Sequence, residues 1–193
     1  AFAAPRAGAD DRETLQLRVE QVTTVSNFEV DGAPIAAKVL IGELYQRRGF
    51  TPAWSPERVR ALHELVLVSS KHGLNPADYH LAQLAQRLQI PEGDASIARA
   101  DTEILCTDAL ARLVVNLRFG KLDPADLEPS WNFSRAIAAA DPVQVFNELL
   151  EAEDLHSAVD RLAPQLDFYR WLQGALAGYQ TILAGGGWPR VPS

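Results

Sequence analysis

The stretch Asp101–Phe119, DTEILCTDALARLVVNLRF, decides the fold of this chain. On a helix of 3.6 residues per turn, one face carries apolar side chains at Cys106, Leu110, Leu113, Val114 and Leu117. The opposite side is also partly apolar, at Ile104, Leu105, Val115 and Phe119. A helix that is apolar on most of its circumference is usually packed on several sides. We therefore expect this stretch to form the central helix of an all-α domain, ended by Gly120.

Capping residues divide the remaining chain into further helices. Ser55-Pro56, Asn75-Pro76 and Asp141-Pro142 each place a capping side chain before a proline. The predicted helices cover 11–22, 33–48, 56–71, 76–88, 101–119, 134–140, 142–151, 154–162 and 165–183. The last one has a broad apolar stripe, formed by Phe168, Tyr169, Leu172, Ala175, Leu176, Tyr179, Ile182 and Leu183. No convincing strand pattern occurs, so the sequence predicts one multi-helix domain over residues 11–193, after a flexible N-terminus, 1–10.

Composition narrows the choice of function. The 193 residues suffice for one sizeable core, and the net charge is −7. Residues 101–193 carry 7 Lys and Arg against 13 Asp and Glu, an acidic balance that argues against nucleic acid as a partner. The longest apolar runs are far short of the roughly 18 residues of a transmembrane helix. Ala1-Phe2-Ala3 has the form of a signal-peptide cleavage site, which favours an exported, periplasmic protein.

Few residues are placed for chemistry. Cys106, the only cysteine, lies on the apolar face without a basic neighbour one turn away, which predicts a buried structural thiol. His72, Asp78 and His80 are close in sequence but fit no metal-ligand motif, so neither a metal nor a cofactor is expected. Glu64 and Glu103 are lone carboxylates, for which solvent or a salt bridge is the default environment.

Four segments carry motifs in a fixed order. They are YQRRGFTPAW at 45–54, HGLNPADYH at 72–80, LCTDA with GKLDP at 105–124, and a segment from Pro164 that ends in GGWP at 186–189. Together they resemble the helical N-terminal scaffold domain of the large periplasmic murein L,D-transpeptidases, the YcbB-like family. The resemblance covers most of residues 45–189.

This resemblance implies a non-catalytic scaffold domain whose parent enzyme cross-links peptidoglycan through a cysteine acyl-enzyme. The implied partners are the catalytic and peptidoglycan-binding modules of the same parent, and peptidoglycan itself. The family's catalytic S-x-G-C-(I/V)-R motif does not occur in this sequence, and Leu105-Cys106-Thr107 does not match it. No catalytic residue is therefore carried over to this chain, and transpeptidase activity is not expected of it alone.

Two other functions stay open at this point. The chain is compatible with a stand-alone helical binding or regulatory module of the cell envelope. It is also compatible with a muramidase-like glycosidase, which needs a cleft with an exposed glutamate of raised pKa.

The motif segments 45–54 and 72–80 are expected to pack together and to form a contact surface. The tryptophans at element ends either cover the core or form platforms for sugar or peptide. The candidate contact residues are Arg48, Trp54, Asp78, Tyr79, Trp131 and Trp188. Arg48 and Asp78 are expected to form an ion pair across the junction. The alternative is a helix-capping corner that has no partner.

Overall fold

A computed structural model describes residues 9–89, 96–122 and 141–188 of the chain. Eight α-helices lie within these residues: α1 (Ala9–Thr24), α2 (Lys38–Arg47), α3 (Pro56–Val68), α4 (Leu81–Arg87), α5 (Ser96–Phe119), α6 (Pro142–Glu151), α7 (Leu155–Asp160) and α8 (Asp167–Ala184). Two 3₁₀ turns, Ser69–His72 and Pro76–Tyr79, lie between α3 and α4. The fold is all-α, as predicted. The predicted helix 134–140 lies outside the described residues.

The central helix α5 separates two apolar clusters. Its face with Cys106, Leu110 and Leu113 packs into a cluster shared with α3, α6 and α7. Ile104 and Leu105, on other sides of the helix, pack into a second cluster with α1 and the segment before α2. Because apolar side chains cover most of its circumference, α5 is buried between these neighbours. The prediction of a central helix is confirmed, and the helix begins five residues earlier than predicted.

The predicted caps are formed where a proline follows the capping residue. The Ser55 hydroxyl accepts a hydrogen bond from the backbone N–H of Arg58, and the Asp141 carboxylate accepts one from Val143. The Asn75 side chain accepts one from Ala77 and opens the 3₁₀ turn Pro76–Tyr79. These local sequence signals therefore fix the starts of α3, α6 and this turn.

A short hairpin replaces the first part of the predicted helix 33–48. Strands β1 (Glu29–Val30) and β2 (Ala33–Pro34) pair antiparallel around an Asp31-Gly32 turn. Both turn residues have positive φ, as the tight hairpin turn requires. α2 consequently begins at Lys38, and Ile35 reaches the core from an irregular segment. The strands are only two residues long, which is too short to give an alternating sequence pattern.

His80 interrupts the predicted helix 76–88. Its backbone is in the left-handed region, at φ 57°, between the 3₁₀ turn Pro76–Tyr79 and α4. A left-handed residue cannot continue a right-handed helix. This break turns the chain so that the His80 side chain is buried against α5.

The long helix predicted at 165–183 is present as α8, but it lies on the surface. None of its 18 residues is buried. Phe168, Trp171 and Leu183 are 66%, 65% and 74% exposed. Its apolar stripe is therefore not part of the core. Within the part of the chain that the structure describes, no helix has the length and apolar character to cross a membrane.

We expect Leu113→Ala to lower the free energy of unfolding by about 2–5 kcal/mol, because it leaves a cavity in a packed core. Leu113 is 2% exposed. Urea denaturation followed by circular dichroism measures the change. Leu17→Ala is the matched control, because Leu17 on α1 is 55% exposed and its loss should change stability by less than about 0.5 kcal/mol. Equal effects of the two substitutions would contradict the central position of α5.

Candidate functional site

Glu103 is the first of three polar residues that α5 holds in the interior. Its side chain is 4% exposed. One carboxylate oxygen accepts hydrogen bonds from the Tyr45 hydroxyl at 2.7 Å and from the backbone N–H of Ala53 at 2.8 Å. The other accepts from the backbone N–H of Trp54 at 3.0 Å. Glu103 therefore fixes the chain directly before α3, instead of lying in solvent or in a salt bridge as the sequence suggested.

Thr107 extends these contacts into a chain of hydrogen bonds. The Trp54 indole N–H donates to the Thr107 hydroxyl at 3.0 Å, and that hydroxyl lies 3.0 Å from the Tyr45 hydroxyl. A tyrosine hydroxyl has a single proton, which Tyr45 gives to Glu103. Thr107 must then donate to Tyr45. The chain runs from Trp54 through Thr107 and Tyr45 to Glu103, so every member has a partner.

Asp108 binds the residues that precede α2 and α4, as Glu103 binds those that precede α3. It is completely buried. Its Oδ1 accepts from the backbone N–H groups of Ala36 at 2.8 Å and Ala37 at 2.6 Å, at the entrance to α2. Its Oδ2 lies 2.8 Å from His80 Nε2 and 2.8 Å from the Arg112 guanidinium. One aspartate therefore joins α5 to the residues that precede two other helices.

Burial shifts the pKa values of these groups in different directions. Burial raises the pKa of Glu103, and the hydrogen bonds from Ala53, Tyr45 and Trp54 offset only part of that effect. Burial would also raise the pKa of Asp108, but the bonds from His80 and Ala37 and the charge of Arg112 outweigh it, so its pKa is lowered. Asp108 is therefore the carboxylate whose ionised form the fold stabilises.

Two of the proposed contact residues belong to the core. Tyr79 is completely buried and its hydroxyl accepts from the Asn116 amide, while Trp54 is 8% exposed and bound to Thr107. The prediction that Trp54 and Tyr79 lie on a contact surface is therefore wrong, because both side chains are buried. Substituting either one would lower stability, so it would not test docking to a partner.

The predicted ion pair between Arg48 and Asp78 is wrong. Arg48 donates to the Glu151 carboxylate and to the Asn147 side-chain oxygen, both at 2.6 Å. Asp78 accepts from Lys121 at 2.7 Å. Arg48 is therefore paired with α6, and Asp78 with a lysine two residues after the end of α5. The motif segments 45–54 and 72–80 both bind α5 at adjacent residues, Trp54 to Thr107 and His80 to Asp108.

Trp188 keeps a position that a partner can reach, whereas the Arg48 side chain is only 13% exposed and paired with Glu151. Arg48 lines a groove of about 460 Å³ between α2 and α6, together with Arg47, Thr51, Gln144, Asn147 and Glu151. Trp188 is 69% exposed and its ring makes an edge contact with Tyr179 of α8, at 6.4 Å between centroids. Trp131 lies outside the described residues.

The histidines of the second motif have separate partners. His80 binds Asp108, as described, while His72 Nδ1 lies 2.7 Å from the Tyr169 hydroxyl and 3.0 Å from the Gln173 amide. Among the described residues, no group of three or more His, Cys, Asp or Glu side chains is arranged to hold a metal ion. These contacts give His72 and His80 structural roles.

The sequence contained a signal for the buried carboxylates. Glu103 directly precedes the mainly apolar run from Ile104 to Leu110, and Asp108 interrupts it, on a helix that is apolar on most sides. A carboxylate in such a position is buried and needs hydrogen-bond donors. The identity of those donors has no local signal, because Ala36 and Ala53 lie 72 and 50 residues away from their acceptors.

Comparison with known proteins gives one match. The family model described as Scaffold domain matches residues 39–176, from the first turn of α2 to the middle of α8. This range includes both motif segments and the whole of α5. No curated protein and no solved structure gives a significant match.

We expect Asp108→Asn to lower the free energy of unfolding at neutral pH by about 1–3 kcal/mol, because an amide nitrogen would face N–H donors. A lowered folded-state pKa stabilises the fold above the unfolded-state pKa of aspartate, and this contribution is lost as the pH falls through the folded-state value. The difference between wild type and variant should therefore shrink in acid. Urea denaturation at a series of pH values measures it.

Asp167→Asn is the control for this pH series, since Asp167 is fully exposed. It should change stability little at any pH. A loss in Asp108→Asn that is the same in acid as at neutral pH would contradict the role of the ionised carboxylate.

Proposed function

We propose that this chain, which belongs to the Scaffold domain family, is the scaffold of an exported L,D-transpeptidase-like enzyme of the cell wall. One observation carries the proposal: the family match at 39–176 contains the motifs at 45–54 and 72–80 that resemble those enzymes. The scaffold role itself follows from the family. The cell-wall substrate, the periplasmic location and the partner modules are the proposed part.

In this proposal the domain holds the catalytic and peptidoglycan-binding modules of its parent in position and contacts peptidoglycan. Positioning needs a rigid support. The buried bonds of Glu103 and Asp108 supply rigidity by tying the starts of α2, α3 and α4 to one helix. The candidate contact points are the groove between α2 and α6, which Arg48 lines, and the exposed Trp188.

The chemistry of cross-linking would come from the parent's catalytic module. Cys106 is completely buried in α5, and burial, followed by the charge of Glu103, raises the pKa of its thiol well above the ordinary value. A nucleophilic cysteine must be an accessible thiolate. Glu103 has the raised pKa of a general acid but is buried with its oxygens occupied, so it does not favour the muramidase alternative.

We expect the purified chain to make no cross-linked dimers from a disaccharide-tetrapeptide and to form no covalent adduct with a carbapenem, because the Cys106 thiol is out of reach. Mass spectrometry of the protein and of the muropeptides tests both statements. The control is the urea-unfolded chain with a thiol reagent, which should label Cys106 rapidly. Either product in the native state would overturn the non-catalytic assignment.

Contact with peptidoglycan needs a test of its own. We expect the chain to sediment with isolated sacculi and not with cellulose, and to release no soluble muropeptides from them. Trp188→Ala should lower the retained fraction because it removes an exposed aromatic ring, while Leu17→Ala should not. Equal sedimentation with both polymers would contradict peptidoglycan binding, and release of muropeptides would favour the muramidase.

A further inference from the structure

The groove between α2 and α6 combines apolar and polar lining residues. Its volume of about 460 Å³ lies within the range of small-ligand sites. Leu44 and Val143 contribute the apolar part, and both are buried, at 0% and 3% exposure, so they form the floor. The walls are polar side chains, from Arg47, Arg48, Thr51, Gln144, Asn147 and Glu151. A ligand in this groove would meet apolar surface below and hydrogen-bonding groups at its sides.

The two arginines of the groove retain unused hydrogen-bond donors. Among the hydrogen bonds of the described residues, Arg48 uses only Nη1, which donates to both Asn147 and Glu151. In the same part of the chain its Nε is buried without a partner. Arg47 also uses one nitrogen there, Nη1 toward Asp141, and its side chain is 53% exposed. Because a guanidinium has five N–H groups in a fork that matches a carboxylate, both side chains can bind a further anion.

Glu151 is a partner that Arg48 can exchange. The Glu151 side chain is 62% exposed, whereas that of Arg48 is 13% exposed. An ion pair whose carboxylate lies mostly in water contributes little to stability. A ligand carboxylate could therefore take the place of Glu151 on Arg48 with little loss of folding free energy.

Two amide side chains of α6 complement a peptide backbone. Gln144 and Asn147 are three residues apart and lie on the same face of the helix. The Asn147 oxygen accepts from Arg48, which leaves its amide N–H groups to donate. The Gln144 nitrogen donates to Glu148, which leaves its oxygen to accept. The pair therefore offers a donor and an acceptor, which are the two groups that a peptide unit satisfies.

The charge of the groove differs from that of the whole chain. The described lining has two arginines and one glutamate, whereas the net charge of the protein is −7. A cationic recess raises the local concentration of anions. None of the described lining residues is aromatic, so the groove has no flat platform for a sugar ring. Its chemistry favours a peptide carboxylate over a glycan.

We propose that the groove between α2 and α6 binds a peptide by its free C-terminal carboxylate. The carboxylate pairs with Arg47 and Arg48 in place of Glu151, and the adjacent peptide unit bonds to Gln144 and Asn147. An aliphatic side chain of the peptide covers the apolar floor. This inference deepens the proposed function, since the peptide stems of peptidoglycan would supply such a ligand. Only that source rests on the cell-wall assignment.

Fluorescence anisotropy with a labelled tetra-alanine tests the groove. The probe has an N-terminal fluorophore and a free C-terminal carboxylate, and its matched control is the same peptide with an amidated C-terminus. We expect the free acid to bind at least about tenfold more tightly, because the amide lacks the charge that the two arginines recognise. Equal binding of the acid and the amide would overturn the proposal.

Competition distinguishes a peptide site from a simple anion site. Unlabelled tetra-alanine should displace the probe at lower concentration than inorganic phosphate does, because phosphate makes no contact with Leu44 and Val143. Phosphate that competes as well as the peptide would contradict peptide binding.

Charge substitutions locate the binding site on the chain. Arg47→Gln should weaken binding of the free acid about tenfold, while Glu151→Gln should strengthen it, because the carboxylate that competes for Arg48 is gone. Arg60→Gln is the matched control, since Arg60 is an exposed residue of α3 outside the groove lining, and it should leave the affinity unchanged. Circular dichroism verifies that all three variants are folded. Unchanged affinity in Arg47→Gln, or weaker binding in Glu151→Gln, would overturn the proposal.

Sedimentation with sacculi separates this inference from the proposed function. A chain that prefers the free-acid peptide but does not sediment with sacculi keeps the peptide site and loses the cell-wall assignment. A chain that sediments with sacculi without preferring the free acid keeps that assignment and overturns the peptide site.

Discussion

The structure depends on two buried carboxylates of one helix, Glu103 and Asp108. Asp108 accepts hydrogen bonds from the backbone N–H groups of Ala36 and Ala37, directly before α2. Glu103 accepts them from Ala53 and Trp54, before α3. Asp108 also binds His80, the residue that precedes α4. Helix starts are usually satisfied by a capping side chain next to them in sequence. α2 and α4 have no such cap, and α5 holds both starts in place from a distance.

This arrangement makes the fold specific at an energetic cost. Removing a carboxylate from water is unfavourable unless hydrogen bonds and opposite charge compensate. Asp108 has four donor groups around it, including the Arg112 guanidinium, and its ionised form is favoured. Glu103 has three neutral donors, and its ionised form is disfavoured. If apolar residues replaced Glu103 and Asp108, α5 could slide or rotate against its neighbours. The hydrogen bonds of the two carboxylates allow a single register.

How much the sequence predicted depends on the range of the interactions. Ser55-Pro56 and Asp141-Pro142 mark helix starts through contacts within three residues, and both predictions were confirmed. The pairing of Arg48 with α6 and of Asp78 with Lys121 depends on which elements become neighbours, and the sequence does not contain that information locally. The burial of Trp54 and Tyr79 has the same origin. Both rings lie at element ends, where the sequence favours exposure. In the structure each ring is buried and its polar group is hydrogen-bonded to a side chain of α5, Trp54 to Thr107 and Tyr79 to Asn116.

The segment from His72 to His80 makes long-range contacts at both of its ends. At its C-terminal end, His80 enters the core and binds Asp108. At its N-terminal end, His72 stays near the surface and receives Tyr169 and Gln173 of α8. These nine residues therefore connect α5, with 13 buried residues, to α8, which has none. Because His80 is bound to Asp108 and His72 is bound to α8, this short segment ties the surface helix to the central one, and a fixed support is what a scaffold requires.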